Sequence, residues 1–139
     1  LLRWPTEDDE PLVEPELSEF RKIGGSLVWL AWWTRIDLVY YTVFLCKYMS
    51  APSRYHLQVA YQILAYLSGT VHFGITYQEG ASEPVAFSDA DWIASWTKQA
   101  ESIVASVAMY AGAAVLWTCS KSDDAKLSST EAEINATWT

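Results

Sequence analysis

The chain has 139 residues, of which 51% are hydrophobic and 14% aromatic, with eight tryptophans, so it is no disordered segment and can bury one ordinary core or two small ones. Its formal net charge of -8 has the wrong sign for a surface that neutralises phosphates, so any nucleic-acid role needs a local basic patch. The longest apolar run, residues 27–33, is too short to cross a bilayer, and no basic stretch precedes an apolar one near the start. These features point to an intracellular chain, in cytoplasm or nucleus, without membrane association. The first residue is Leu1 rather than Met, as in a piece of something longer.

Residues 1–15 carry Pro5, Pro11 and Pro15 and an acidic run from residue 7 to 10, the signature of an extended, solvated leader. From Glu16 the spacing turns helical: Leu17, Phe20, Gly24, Leu27 and Ala31 recur at three- and four-residue steps, widened by Ile23 and Leu30. The Gly24-Gly25 pair weakens such a helix unless something packs close there. Thr34 is placed to cap a second helix, with Asp37 in its first turn and Leu38, Thr42, Leu45 and Met49 as the buried stripe, stopped at Ala51-Pro52. Ser53 caps a third, carrying Leu57, Ala60, Tyr61, Leu64 and Leu67 and closed by Gly69. Cys46 and Cys119 lie in apolar surroundings without metal-ligand spacing, and are expected to be buried thiols; His56 and His72 are expected to be structural.

After Gly69 the period changes to alternation. Phe73, Ile75 and Tyr77 read as a strand, and residues 78–84 as a turn. In Phe87-Ser88-Asp89-Ala90-Asp91-Trp92, a second strand puts Val85, Phe87 and Asp89 on one face, ending an apolar surface in a carboxylate that needs a partner, a proton or a metal if buried. The ordinary outcome for an isolated Asp-x-Asp is a solvated turn. Residues 103–110 form a β-branched run broken at Gly112, and Ala113, Val115 and Trp117 alternate beyond it. Ser128 and Glu131 form a capping box that opens a helix with Thr130, Glu133 and Thr137 on one face. A strand-borne Asp89 and a helix-borne Glu133 are the carboxylate geometry that two-metal phosphodiester hydrolysis requires, because Mg²⁺ takes oxygen ligands held on rigid elements.

Two sets of words in the sequence resemble the Ty1/copia class of retrotransposon Pol polyproteins. The first comprises Phe20-Arg21-Lys22-Ile23-Gly24-Gly25-Ser26-Leu27-Val28-Trp29-Leu30, Thr34-Arg35-Ile36-Asp37-Leu38, Lys47-Tyr48-Met49-Ser50-Ala51-Pro52, His56 and Ile63-Leu64-Ala65-Tyr66-Leu67-Ser68-Gly69-Thr70. The second comprises Ser88-Asp89-Ala90-Asp91-Trp92, Trp117 and Leu127-Ser128-Ser129-Thr130-Glu131-Ala132-Glu133. The resemblance implies an α+β chain: an acidic leader (1–15), a three-helix segment at the end of the reverse transcriptase region (16–70), and an incomplete ribonuclease H-like antiparallel three-stranded sheet plus first helix (71–139). It implies that Asp89 and Glu133 are the first and second ribonuclease H carboxylates, ligands of Mg²⁺ on an RNA–DNA hybrid, within an element that copies itself and integrates its DNA. Asp91 gains no role from it.

The departures bear on activity. The family's later Asp-Asn and fourth acid have no counterpart before Thr139, so the resemblance implies an incomplete Mg²⁺ site and no tightly bound metal. The family's basic run after Trp117 reads Cys119-Ser120-Lys121-Ser122-Asp123-Asp124, and its basic segment after Trp92 gives way to Ala100-Glu101-Ser102, which opposes hybrid binding. The expectation is a catalytically inactive remnant with weak or absent hybrid affinity. The alternatives are an excerpt of an active polyprotein, or a host-adopted interaction module. An unpaired sheet edge would invite self-association; Trp32, Trp33, Trp92 and Trp96 are expected either as aromatic core, the ordinary outcome, or exposed where the missing half would have packed.

Overall fold

Phe20, Gly24, Leu27 and Ala31 fall on one side of an 18-residue helix, α1 (Glu16–Trp33), and all four are buried, as the stepped spacing predicts. The structure is a computed structural model describing residues 9–79, 83–91 and 102–122. It forms two compact units, one ending at Gly74 and the other beginning at Ile75. The first holds α1, a 3₁₀ turn (Ile36–Leu38), α2 (Val39–Lys47) and α3 (Arg54–Gly69); the second holds β1 (Val85–Asp91), β2 (Ser102–Tyr110) and β3 (Ala113–Ser122). The fold class is α+β. Among the described residues, no helix is long and apolar enough to cross a membrane.

The tolerance of α1 for its glycine pair has a steric reason at one position. A Cβ on Gly24 would overlap Met49 Cε, so the methionine that follows α2 is seated against the helix backbone. Gly25 faces open space.

The entry to α2 differs from the capping expectation. Thr34 ends α1 instead: its N–H and its hydroxyl both donate to Leu30 O, at 3.0 and 3.4 Å. Asp37 does not serve a helix N-terminus, because the Arg35 guanidinium takes both its oxygens. The stripe Leu38, Thr42 and Leu45 is buried, with Val39 and Phe44 beside it, while Met49 is half-buried and α2 stops before Ala51-Pro52. Thr42 satisfies its buried hydroxyl by donating to Leu38 O and Val39 O. Cys46 lies on the outer face of α2 and is exposed, against expectation; Cys119 is buried.

Ser53 caps α3, with His56 in the place usually taken by Glu: the Ser53 N–H donates to His56 Nδ1 at 2.9 Å in a reciprocal capping box. The His56 ring stacks 4.1 Å from Tyr48, so it is structural, as anticipated. The buried stripe of α3 is His56, Leu57, Val59, Ala60 and Ile63; Tyr61 and Leu64 are exposed, and Leu67 is half-buried. The buried face is rotated from the predicted one, running through Val59 and Ile63 in place of Tyr61 and Leu64.

Residues 9–15 are extended but not loose. Leu12 is buried, Pro11 bridges Ser53, the Leu12 N–H donates to Pro52 O, and Arg54 pairs with Glu10 and Glu16.

The expected strand through Phe73, Ile75 and Tyr77 does not form. Phe73 lies 5.8 Å beneath the Arg35 guanidinium in the helical unit, and Gly74 interrupts the alternation. Further on, the Gln78 N–H donates to Ala111 O and the Tyr77 hydroxyl to Ala114 O.

The sheet is an antiparallel meander in the order β1-β2-β3. Ala111 and Gly112, at φ 52° and 76°, make the two-residue hairpin turn whose twist matches paired strands. An irregularity at Ala108/Met109 offsets the ladder, so Ala113 and Ala114 are both buried while Val115 and Leu116 are both exposed, breaking the expected alternation. A non-glycine at left-handed φ is costly, so Ala111→Asn is expected to stabilise the sheet by about 0.5–1 kcal/mol, read as a higher urea midpoint. The helix expected from Ser128 lies outside the described residues.

Candidate functional site

Asp89 stands near the end of β1, opposite Ala105 of β2, which is itself opposite Cys119 of β3. Directly opposed residues share a face, so Asp89 belongs to a row whose other members include Val85 and Phe87 on β1 and Val107 and Trp117 on the neighbouring strands. The strand pattern thus put the carboxylate on the predicted face. That face is open at β1: Val85 and Phe87 are 47% and 56% exposed, and Asp89 is exposed with them. Its Oδ1 accepts the Ala90 N–H at 2.9 Å. On the opposite face the hydroxyls of Ser106 and Thr118 lie 2.7 Å apart, between Val104 and Leu116.

Asp91 ends β1. Glu133, Trp92 and Trp96 lie outside the described residues. Among the described residues, no group of three or more His, Cys, Asp or Glu side chains could hold a metal ion. Asp89 offers one carboxylate, one oxygen of which accepts the N–H of the next residue.

A second polar centre was missed by sequence reasoning. Arg35, 5% exposed, sends Nε and Nη2 to the two oxygens of Asp37 at 2.9 and 2.7 Å. Its remaining donors reach Thr70 O at 3.1 Å and Thr70 Oγ1 at 2.9 Å. The Tyr66 hydroxyl donates to Asp37 Oδ2 at 2.9 Å, and the guanidinium stacks 5.5 Å from the Tyr66 ring. The hydrogen bond from Arg35 holds the Asp37 carboxyl below the ordinary carboxylate range, and Asp37 in turn raises Arg35 and Tyr66. Every partner is internal, so this is a clamp tying the α1–α2 turn to the end of α3. Beside it, Tyr40, Tyr41, Tyr66 and Gln62 rim a cleft of about 570 Å³ floored by Leu38, Val59 and Ile63. A signal was present: Arg35, Asp37 and Thr70 all belong to quoted family words, 35 residues apart.

No protein-family model matches the chain, and no solved structure matches it. Among curated proteins it is 43% identical over 76 residues to the retrovirus-related Pol polyprotein from transposon RE1 of Arabidopsis thaliana, covering 54% of this chain. It is 37% identical over 120 residues to the corresponding polyprotein from transposon RE2 of the same plant, covering 86% of this chain. An uncharacterised mitochondrial protein, also of Arabidopsis thaliana, is 29% identical over 123 residues, covering 88% of this chain and half of its own length. The chain spans only 5% and 8% of the lengths of the two polyproteins. Together with the paired motifs, these matches show that the chain belongs to the copia-type retrotransposon Pol polyproteins, as a segment corresponding to a small part of their length.

Proposed function

We propose that the chain is the part of a copia-type Pol polyprotein in which the end of the reverse transcriptase region meets the start of a ribonuclease H domain. Asp89 and Glu133 would be two of the carboxylates that act on the RNA strand of an RNA–DNA hybrid, inside the cell. The observation that carries this is Asp89 near the end of the first strand of an antiparallel β1-β2-β3 meander, in a sequence whose next acidic word opens with a helix cap. A carboxylate fixed on a strand and another on a helix give the rigid oxygen ligands that Mg²⁺-dependent hydrolysis uses.

These 139 residues on their own are proposed to be catalytically silent. Asp89 and Glu133 supply too few oxygens for two ions, and the acidic balance of the chain repels a hybrid. A second reading, activity within a longer polyprotein that supplies further acids, is favoured by the small share of the transposon relatives that the chain spans. The test is a Mg²⁺-supplemented cleavage assay on an RNA–DNA hybrid, comparing the chain with its Asp89→Asn variant. The two are expected to be equally inert, and cleavage by the parent that disappears in the variant would refute the silence proposed here.

A further inference from the structure

The outward face of α1 carries three exposed tryptophans. Trp29 and Trp33 are 63% and 66% exposed, and Trp32 is 39% exposed. At 100° per residue, Lys22, Trp29 and Trp33 stand opposite the buried Phe20, Leu27 and Ala31, with Ser18, Gly25 and Ser26 flanking them. Ser18, Lys22, Gly25, Trp29 and Trp32 follow one another by four, three, four and three residues, the spacing of a seam that packs against a second helix. A Cβ on Gly25 would meet nothing within 4 Å, so the seam has an open notch at its middle.

We propose that this face pairs with the same face of a second copy of the chain, the two α1 helices running antiparallel about a two-fold axis between Gly25 and Ser26. Isologous contact demands a self-complementary surface, and this one is. The axis sets each Trp29 against the other copy's Lys22, a ring against a cation, with the lysine stem under the indole. It sets Trp33 near Ser18, which offers the indole N–H a hydroxyl. The small pair at the axis lets the backbones approach. A parallel pairing would instead oppose Lys22 to Lys22 and align the helix dipoles. Charge therefore selects the antiparallel copy as occupant. The three indoles contribute roughly 400 Å² per copy, which with their neighbours reaches the low end of specific interfaces and gives a weak, reversible dimer.

The test is sedimentation equilibrium of the 139-residue chain from about 1 to 200 µM, the range in which a weak dimer populates. A monomer–dimer equilibrium is expected, weakened at least tenfold by Lys22→Glu and abolished by Trp29→Ala with Trp33→Ala. Gly25→Gln separates folding from contact: its side chain enters open space on the monomer, so the helical circular dichroism signal is kept while the notch is blocked and the dimer lost. A chain that stays monomeric throughout overturns the proposal. So does a dimer indifferent to Gly25→Gln and Lys22→Glu, which would assign association to a sheet edge or another surface, and so does a monomer whose indoles are quenched only by added RNA–DNA hybrid.

Discussion

Arg35→Ala is expected to destabilise the helical unit by about 3 kcal/mol, because removing one partner of a buried ion pair leaves the other without compensation. The substitution deletes two bonds to Asp37 and two to Thr70 at once, and empties the space between the Tyr66 and Phe73 rings. The Asp37 side chain is 35% exposed, so water recovers part of its loss, which keeps the figure at the lower end of the range for buried pairs. Arg35→Lys recovers little, since a point ammonium cannot reproduce a fork that spans a carboxylate and a threonine. Urea unfolding followed by far-ultraviolet circular dichroism measures the difference as a shift in midpoint.

The same clamp predicts the acid limb of stability. The Asp37 carboxyl is held below its ordinary value of 3.8, so the folded chain binds this proton less readily than the unfolded one. Its contribution is therefore fully present above pH 3.8 and lost as pH falls through the lower folded value. Asp37→Asn should lower stability at neutral pH and flatten the profile below pH 4, whereas a profile of unchanged slope would remove Asp37 from the account.

Phe20→Ala is expected to cost about 3–5 kcal/mol, the range for emptying a fully buried aromatic site. Phe20 is 0% exposed on the face α1 turns to its core, beside Leu27 and Ala31. Small domains hold roughly 0.05–0.15 kcal/mol per residue, so a loss of this size removes a third or more of the roughly 4–10 kcal/mol that a unit this short holds. The expected result is loss of the cooperative helical transition at 25 °C. A Phe20→Leu variant, which keeps most of the volume, should retain it.

The parts of the architecture governed by periodicity were legible in the sequence. The stripe Phe20, Gly24, Leu27 and Ala31, the Ser53 cap, the strand bearing Asp89 and the turn at Gly112 follow from side-chain spacing and backbone freedom, which are local. What escaped was decided by partners distant in the chain. Thr34 and Asp37 form a plausible cap by spacing, but Arg35 with Tyr66 offers the carboxylate a better bond. Phe73 alternates as a strand should, yet packs under a guanidinium. Val115 and Leu116 fall on the wrong phase because of an offset in the ladder that no local pattern records. The family words proved informative in an unanticipated way: Gly24 meets Met49, and Arg35 meets Thr70, so those words in the first half encode scaffold contacts. In the second half Asp89 falls on a described strand, and Glu133 lies outside the described residues.

The most direct measurement is isothermal titration of Mg²⁺ into the 139-residue chain, with Asp89→Asn alongside. Two carboxylates cannot enclose two octahedral ions, so the heats should be small, unsaturated and the same for both proteins. Saturable uptake of two ions per chain that vanishes in Asp89→Asn would contradict the account.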